Sequence, residues 1–243
     1  MMHILIGILQ HNKYGITKRC IDKIIENTND VSYDIFLIDN GSMDGSANSI
    51  KKIYNEIDNI KIVLNEKNSG VIGGRNLIFN HFLSEIKYSH IIFLDNDQFV
   101  NDKWMDGYLS GLKKFDQCII GTEGWLLSSS LSPMRKVNLK DVGFTYIGCG
   151  GMMIDRKSVE DIGIFDIGFN PAYFEDPDYC LRARDKGIKV IWNNISKIDH
   201  KPHQTLGQNH SVSSKNFLKS FLHFKSKWNN KINGGSIFTE RVL

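Results

Sequence analysis

Short apolar runs alternate with helical patterns through the first hundred residues, and this alternation limits the folds open to the chain more than any other feature. Runs of apolar, β-branched residues are typical of buried strands, and apolar residues three or four positions apart are typical of helices. Strand–helix–strand repetition predicts an α/β fold with a Rossmann-like, doubly wound, mostly parallel sheet and helices on both faces. The predicted strands are His3–Leu9, Tyr33–Ile38, Lys61–Leu64 and Tyr88–Leu94, and the predicted helices are Thr17–Asn27, Ser46–Asn55 and Gly73–Lys87.

The pattern is less regular after residue 100. Gly124–Lys140 is rich in serine and contains a proline, so we predict a mobile loop there. Further predicted elements are helices at Trp104–Phe115, Arg156–Ile162 and Asp178–Lys186, and strands at Cys118–Gly121 and Ile188–Trp192.

Because no low-complexity linker interrupts the chain, we predict one domain over residues 1–213, with halves at 1–100 and 101–213, and a tail at 214–243. A net charge of +3 is too small to indicate nucleic-acid binding by itself. The four cysteines form no CxxC pair, which excludes a zinc knuckle. The apolar run near the N-terminus is too short for a signal peptide or a membrane span, so we expect a cytoplasmic protein.

Polar clusters follow three successive predicted strands, at residues 39–42, 68–76 and 95–97. In open α/β sheets, ligands bind beyond the carboxyl ends of the strands. We therefore expect the three clusters to form one binding site, although a structural turn can explain any one of them alone.

Asp95 and Asp97 flank one residue at the end of an almost wholly apolar strand. Carboxylates in such a place are costly unless they meet a cation, a hydrogen-bond donor or solvent. Mg²⁺ and Mn²⁺ are commonly held by one or two carboxylates together with substrate phosphates. The triplet therefore favours a divalent-metal site, with a solvated turn as the alternative.

Residues 68–76 join a strand to a helix and contain three glycines. Glycine lets the backbone approach a ligand, and a helix N-terminus favours an anion. Gly73 and Arg75 are therefore candidate phosphate contacts. No Gly-Lys-Ser/Thr follows, so the segment is not a P-loop, and a helix-start loop without a ligand is the alternative.

Three carboxylates surround a proline at the start of a predicted helix, at Glu175, Asp176 and Asp178. Glu175 or Asp176, displayed just before the helix, can serve as a general base, whereas Asp178 can interact with the helix dipole. His200 and His203 follow the last predicted strand, where a neutral imidazole can ligate a metal. Helix capping and exposed structural histidines are the alternatives.

Taken in order, these clusters resemble glycosyltransferase family 2, a family of inverting enzymes with the GT-A fold. The turn at residues 39–42, with sequence DNGS, is most similar to the rhamnosyltransferase-like branch. The resemblance extends over about residues 3–205, and the matching segments are residues 38–46, 68–76, 93–97, 150–154, 162–166 and 174–182.

The resemblance implies transfer of a sugar from a nucleotide-diphosphate donor, UDP- or dTDP-linked, to an acceptor hydroxyl in glycan or polysaccharide synthesis. Residues 1–100 would hold the nucleotide and residues 101–213 the acceptor. Asp176 resembles the catalytic base, and Asp97 resembles the direct ligand of Mn²⁺ or Mg²⁺. Asp95 resembles a residue near the ribose and the metal, Asp39 the carboxylate that reads the base, and His200 the histidine that completes some metal sites. The implied donor contacts are Leu9, His11, Asp39, Gly73, Arg75, Asp95 and Asn96, and the acceptor-side residues are Glu175 and Asp178.

The tail begins with a basic amphipathic pattern at residues 214–231, where apolar side chains share a broad helical face and lysines lie largely around it. Three roles stay open for this predicted helix. It can pack on the catalytic domain, lie peripherally on an anionic membrane beside a lipid-linked acceptor, or form a homo-oligomer interface.

Three other functions compete with this interpretation. A phosphatase of the haloacid dehalogenase type also has Asp-x-Asp after an apolar strand, but there Gly-Thr follows, whereas Gln98 and Phe99 follow here. A sugar nucleotidyltransferase expects a glycine-rich loop with arginine and lysine after the first strand, which residues 10–14 do not supply. A non-catalytic carbohydrate-binding relic of the same fold is disfavoured by the presence of both Asp97 and Asp176.

Overall fold

A seven-stranded sheet lies at the centre of the protein, between two layers of helices. The computed structural model describes residues 2–141, 143–201, 210–232 and 239–240. All neighbouring strands of the central sheet are parallel except the two pairs made by β11, so the predicted α/β class with a mostly parallel sheet is confirmed. In spatial order the strands are β12 (Lys189–Trp192), β6 (Cys118–Gly121), β11 (Met152–Asp155), β4 (His90–Asp95), β1 (His3–Gln10), β2 (Ser32–Asp39) and β3 (Ile60–Leu64).

Helices cover both faces of this sheet. The helices that bury side chains against one face are α1 (Tyr14–Asn27), α2 (Ser46–Tyr54) and α4 (Asp106–Leu112). The helices on the other face, which form the second layer, are α3 (Gly70–Ser84), α5 (Arg156–Ile162), α6 (Glu175–Asp185) and α7 (His210–Ile232). A 3-10 turn at Ile167–Phe169 also belongs to this second layer.

The two hydrophobic cores explain why the central strands are apolar at nearly every position. In β1, Ile4, Ile6 and Ile8 belong to one core, while Leu5 faces the other. Side chains of a strand alternate between the faces of its sheet, so a strand covered on both faces needs a continuous apolar run. The same argument places β4 near the middle of the sheet, where the structure has it.

In the described part of the chain, three small sheets surround the central one. One sheet pairs β5 (Gln98–Val100) with β13 (Ile198–His200). The second has β7 (Gly124–Leu127) between β8 (Pro133–Lys136) and β10 (Tyr146–Ile147). The third pairs β9 (Gly143–Phe144) with β14 (Thr239–Glu240). The prediction of a mobile loop at Gly124–Lys140 is therefore wrong. Trp125 pairs with Lys136 on one side and with Tyr146 on the other, and such cross-strand contacts stabilise a ribbon that turn-forming residues alone do not reveal.

Several helices begin earlier than the sequence predicts, among them α3 and α6 at the candidate site. α3 begins at Gly70, which has a positive φ of 80° and lies against Asn170 and Pro171, so a side chain there would be both strained and obstructed. α6 begins at Glu175, directly after Phe174, whose φ of 67° turns the chain into the helix. Glu175 and Asp176 thus lie in the first turn of α6 and not before it.

α7 packs on the second layer, which agrees with the first of the three roles considered for it. Phe224 and Trp228 are buried in the core, and the Ser220 hydroxyl donates to the Ala172 carbonyl over 2.8 Å. Lys227 Nζ lies 2.8 Å from Asp166 Oδ2. Among the described residues, no helix is both long and apolar enough to cross a lipid bilayer.

Candidate active site

The carboxyl ends of β1, β2 and β4 bring the predicted polar clusters to one edge of the sheet. In register, Gln10 lies opposite Asp39, and Leu9 lies opposite Asp95. β2 and β4 flank β1 on opposite sides, so the direction in which strands are added reverses at β1. A crevice at such a switch point is where ligands bind in open α/β sheets.

Asp95, Asp97 and His200 meet at this edge. One ligand atom from each lies within 4.8 Å of the others. Nε2 of His200 is 3.4 Å from Oδ1 of Asp97 and 4.0 Å from Oδ2 of Asp95. β13 positions His200, because it pairs antiparallel with β5 and sets His200 opposite Gln98, the residue after Asp97. His203, the second histidine considered, lies outside the described residues.

Glu123 holds the other nitrogen of the His200 ring. Its Oε1 lies 2.8 Å from His200 Nδ1 and 2.8 Å from Lys136 Nζ. Burial lowers the pKa of His200, but hydrogen bonds to Asp97 and Glu123, with nearby negative charges, outweigh it and raise that pKa to about 10. Burial raises the pKa of Glu123, and its bonds to His200 and Lys136 lower it overall. The sequence analysis missed Glu123, because no motif marks it and its position depends on how β7 packs.

Arg75 joins the Asp95–Asp97–His200 cluster to the acidic pair of α6. Its Nη2 lies 2.6 Å from Asp95 Oδ1, and its Nη1 lies 2.9 Å from Glu175 Oε1 and 3.9 Å from Asp176 Oδ1. The side chain is only 9% exposed, so the guanidinium is committed to these carboxylates. Arg75 was predicted as a phosphate contact, and the structure instead engages it with three acids.

Glu175 and Asp176 form a closely coupled acidic pair. Burial raises the pKa of Glu175, while the charge of Arg75 opposes the rise. Burial, reinforced by the charge of Glu175, raises the pKa of Asp176 well above its usual range, and Arg75 again opposes the rise. Glu175 Oε2 and Asp176 Oδ1 are buried without a hydrogen-bond partner in the described structure, yet 24% of the Asp176 side chain stays exposed. Asp176 can therefore be reached from the crevice.

Gln98 and Gly150 shape the surroundings of Asp95. Gln98 Oε1 accepts a hydrogen bond from the Asp95 amide over 3.0 Å, while its buried Nε2 has no partner among the described residues. A Cβ at Gly150 would lie 2.7 Å from Asp95 Oδ2 and 2.8 Å from Gln98 Nε2, so no larger residue fits without displacing them. Neither residue was predicted, although Gly150 belongs to a segment of the resemblance.

The predicted base-binding residues line the end of β1 and β2. Asp39 is buried and accepts hydrogen bonds from Gln10 Nε2 at 2.6 Å and from the Ser42 hydroxyl at 2.6 Å. His11 Nδ1 lies 3.1 Å from the Asn40 carbonyl oxygen. Leu9 packs against the first turns of α3 at Gly74. The Asp39 carboxylate is thus held in a fixed orientation.

Three predicted site residues have their polar groups engaged elsewhere. Asn96 is buried, and its Nδ2 donates to Thr17 Oγ1 on α1 over 2.9 Å. The Gly73 amide lies at the end of the first turn of α3 and donates to Asn170 Oδ1 over 3.3 Å. Asp178 is wholly buried and lies 2.7 Å from Lys227 Nζ and 2.8 Å from Arg182 Nε, so it fixes α7 instead of facing an acceptor.

The ligand set suits a divalent cation. Two carboxylates and an imidazole lie close together and provide hard oxygen ligands and one nitrogen. Glu123 on the second nitrogen of His200 is the common way in which proteins orient a ligating imidazole. The described residues therefore fit a divalent metal centre beside a buried acidic pair.

Curated relatives match the chain only distantly. A glycosyltransferase, AglE, from Haloferax volcanii is 22% identical over 196 residues, which cover 75% of this chain and 61% of AglE. An adenine deaminase from Clostridium perfringens is 27% identical over 150 residues, which cover 60% of this chain. The match spans only about a quarter, 24%, of the deaminase.

Solved structures share the fold. GalNAc-T7, in a structure with UDP, GalNAc and Mn²⁺, superposes with a TM-score of 0.74 at 15% identity, over 93% of this chain and 48% of that one. A mannosyltransferase from Pyrobaculum calidifontis, in complex with GDP-Man and Mn²⁺, gives a TM-score of 0.67 at 12% identity, over 96% of this chain and 65% of that one. These similarities establish that the architecture is GT-A.

The sequence model described as glycosyl transferase family 2 matches residues 6–163. This segment runs from β1 through α5, and it contains the Asp95–Asp97 triplet, Arg75 and Glu123. Since the match includes well over half of the chain, the protein belongs to glycosyl transferase family 2.

Proposed function

We propose that this chain is a metal-dependent, inverting glycosyltransferase that moves a sugar from a nucleotide-diphosphate donor to an acceptor hydroxyl. One observation carries the proposal: the meeting of Asp95, Asp97 and His200 beside the buried Glu175–Asp176 pair, at the switch point of the sheet. A site of this kind has both groups that the reaction needs, a place for a diphosphate and a nearby base.

Asp97 and His200 would hold the metal directly, with Asp95 on the side of the donor. When bound, Mn²⁺ or Mg²⁺ offsets the negative charge that develops on the departing diphosphate. The imidazole favours Mn²⁺ over Mg²⁺, because Mg²⁺ prefers oxygen ligands. In support, both similar structures described above contain Mn²⁺.

Asp176 would act as the catalytic base. It takes the proton of the acceptor hydroxyl, the acceptor oxygen forms a bond to the anomeric carbon, and the bond from that carbon to the diphosphate oxygen breaks with its electrons on the diphosphate. Displacement in one step inverts the anomeric configuration. The raised pKa of Asp176 makes its ionised form a stronger proton acceptor than an ordinary aspartate.

Asp39 would bind the donor base, with Leu9 and His11 on the opposite wall. Its orientation is set by Gln10 and Ser42, which donate hydrogen bonds to both oxygens of the carboxylate. We propose a UDP- or dTDP-linked donor and a glycan or lipid-linked acceptor, within the rhamnosyltransferase-like branch. The similar structures hold UDP in one case and GDP-Man in the other, so the fold accepts different bases.

Calorimetric titration with UDP-, dTDP- and GDP-sugars, with and without Mn²⁺, tests the proposal. We expect one donor to bind, at least tenfold more tightly with metal, and Asp97→Asn to remove the metal effect. Asp116→Asn, at a carboxylate in the turn before β6 with no role in the site, is the matched control. If donor affinity changes neither with metal nor with Asp97→Asn, the proposed metal site is contradicted. If Asp176→Asn still transfers the sugar to the acceptor, the assignment of Asp176 as the base is contradicted.

A further inference from the structure

We propose that the outward side of α7 docks on an anionic lipid surface. Lys215, Leu218, Leu222 and Lys225 follow one another at spacings of three, four and three residues, which places all four in one stripe along the helix. We name these four residues the Lys–Leu stripe. Leu218 is 56% exposed and Leu222 is 57% exposed, so two neighbouring leucines are presented to solvent between two lysines.

The inward side of α7 already packs on the domain, and the stripe is a separate surface of the helix. Phe224 and Trp228 are buried against the second helical layer. Lys227 pairs with Asp166 and Asp178, and Lys219 Nζ donates to the Asn170 carbonyl over 2.8 Å. Packing of the helix on its domain therefore does not require the exposed leucines, and their exposure has a cost that docking would remove.

Charge identifies the kind of partner. Residues 210–232 contain five lysines and no aspartate or glutamate. Apolar side chains flanked by lysines are the arrangement by which a helix lies in the headgroup region of an anionic bilayer, with leucines inserted and lysines near phosphates. A second copy of α7 would instead bring lysines against lysines, so charge disfavours self-association through this stripe.

The residue before Leu218 packs on the residue before the acidic pair of the active site. Phe217, next to Leu218 in the chain, is 40% exposed and packs on Phe174 with ring centroids 5.2 Å apart. Phe174 directly precedes Glu175, and Asp176 follows. A chain docked through the stripe would thus hold Asp176 near the lipid surface, where a lipid-linked hydroxyl would be delivered. Only this orientation rests on the proposed function, and the docking itself does not.

Co-sedimentation with phosphatidylglycerol–phosphatidylcholine vesicles tests the docking, with phosphatidylcholine vesicles for comparison. We expect the full chain to bind the anionic vesicles, with an affinity that falls as salt rises. Leu218→Ser with Leu222→Ser should lower the affinity by about tenfold or more, since two half-exposed leucines are lost. Lys215→Gln with Lys225→Gln should weaken binding and reduce its salt dependence.

Two matched controls keep the result specific to the stripe. Ile86→Ser and Leu139→Ser remove exposed apolar side chains elsewhere, at 93% and 68% exposure, and should leave vesicle binding unchanged. Circular dichroism and thermal melts check that each variant is folded. No binding to anionic vesicles, or equal binding by the leucine variant and the wild type, would overturn the proposal.

Sedimentation velocity separates the docking from self-association. Suppose that the wild type forms a dimer, that the leucine variant does not, and that the wild type does not bind vesicles. The stripe would then be a dimer interface, and lipid docking would be overturned. Donor binding is measured independently by calorimetry. If the chain binds anionic vesicles but no nucleotide-sugar donor, the proposed function is contradicted and the docking proposal is supported.

Discussion

Nδ1 of His200 lies 2.8 Å from Oε1 of Glu123, and this bond turns the Nε2 of the ring toward Asp97. The carboxylate fixes both the rotation and the tautomer that a metal-binding imidazole needs. Glu123 directly precedes β7, so the candidate metal site depends on a residue next to the ribbon that was expected to be a loop.

Glu123→Ala should weaken Mn²⁺ binding by roughly 10–100-fold, because His200 loses the group that orients it. Glu123→Gln should recover part of this loss, since an amide oxygen still accepts from Nδ1–H. Mn²⁺ affinity can be followed by electron paramagnetic resonance of the free ion. Glu160→Gln, at an exposed glutamate on α5, is the control. Unchanged Mn²⁺ affinity in Glu123→Ala would show that Glu123 does not position the ligand.

Arg75→Met should destabilise the protein by about 3–5 kcal/mol, because the buried carboxylate of Glu175 loses its partner and Asp95 loses one of its own. Arg75→Lys should be intermediate, since a lysine cannot reach two carboxylates with a planar fork. Urea unfolding monitored by tryptophan fluorescence gives the free energies of unfolding. The prediction fails if Arg75→Met costs no more than a surface substitution such as Arg135→Met, whose guanidinium is half exposed.

Asp176→Asn should raise the melting temperature at neutral pH while it removes transfer activity. The folded-state pKa of Asp176 lies above its unfolded value, so the folded protein loses stability as the pH rises above the unfolded pKa, and this loss levels off above the folded pKa. Below the unfolded value, about 3.9, both states are protonated and the penalty is absent. The stabilisation should therefore appear at pH 7 and vanish below about pH 4. Thermal melts of both proteins across this range decide the matter, and a variant less stable than wild type at pH 7 contradicts the assignment.

The same shift predicts the acid limb of the pH–rate profile. Since the base must be ionised, kcat/KM should rise with pH through a pKa clearly above the ordinary aspartate value of about 3.9. The profile should be recorded at saturating Mn²⁺, so that metal loss does not mimic the limb. An acid limb at or below pH 4 would mean that Asp176 is not the group that titrates.

Asp166 should hold α7 in place above its pKa. Burial raises the pKa of Asp166, but Lys227, the Gly168 amide and His223 outweigh it and lower that pKa to about 2. A carboxyl with a lowered folded pKa contributes stability above its unfolded value, about 3.9, and loses that contribution as the pH falls through about 2. Stability of wild type minus that of Asp166→Asn should therefore shrink between pH 5 and pH 2, as measured by urea unfolding. A difference that does not change with pH would exclude this role.

The strand–helix alternation was enough to predict the fold, because buried strands need apolar residues at every position and amphipathic helices need a period near 3.6. β6 and α5 were predicted with the bounds that the structure shows. The ribbon of β7 and β8 was not, since its stability comes from the contacts of Trp125 with Lys136 and Tyr146, which no local pattern displays. The start of α6 could not be predicted either, because it depends on the positive φ of Phe174, which no sequence pattern indicates.

Among the site residues, those at the ends of strands were the easiest to predict from sequence. Asp95, Asp97 and Asp39 could be grouped because parallel strands share a carboxyl edge. His200 was grouped with them by resemblance alone, and the structure places it there through β13. Arg75 was identified as a site residue, but its partners could not be predicted, since the nearby acids come from β4 and α6, 20 and 100 residues away. Glu123 and Gln98 needed the folded structure.

The antiparallel ladder of β5 and β13 consists of three residue pairs, and one of them carries His200. Asp97 and His200 lie 103 positions apart in the chain, and a bound ion would tie β13 to the turn after β4. By mass action, metal should then slow the local opening of β13 more than that of the sheet centre. A chain still emerging from the ribosome would have β1, β2 and the Asp95–Asp97 triplet before it has β13, so its ability to retain the ion would mark the moment at which β13 has paired with β5.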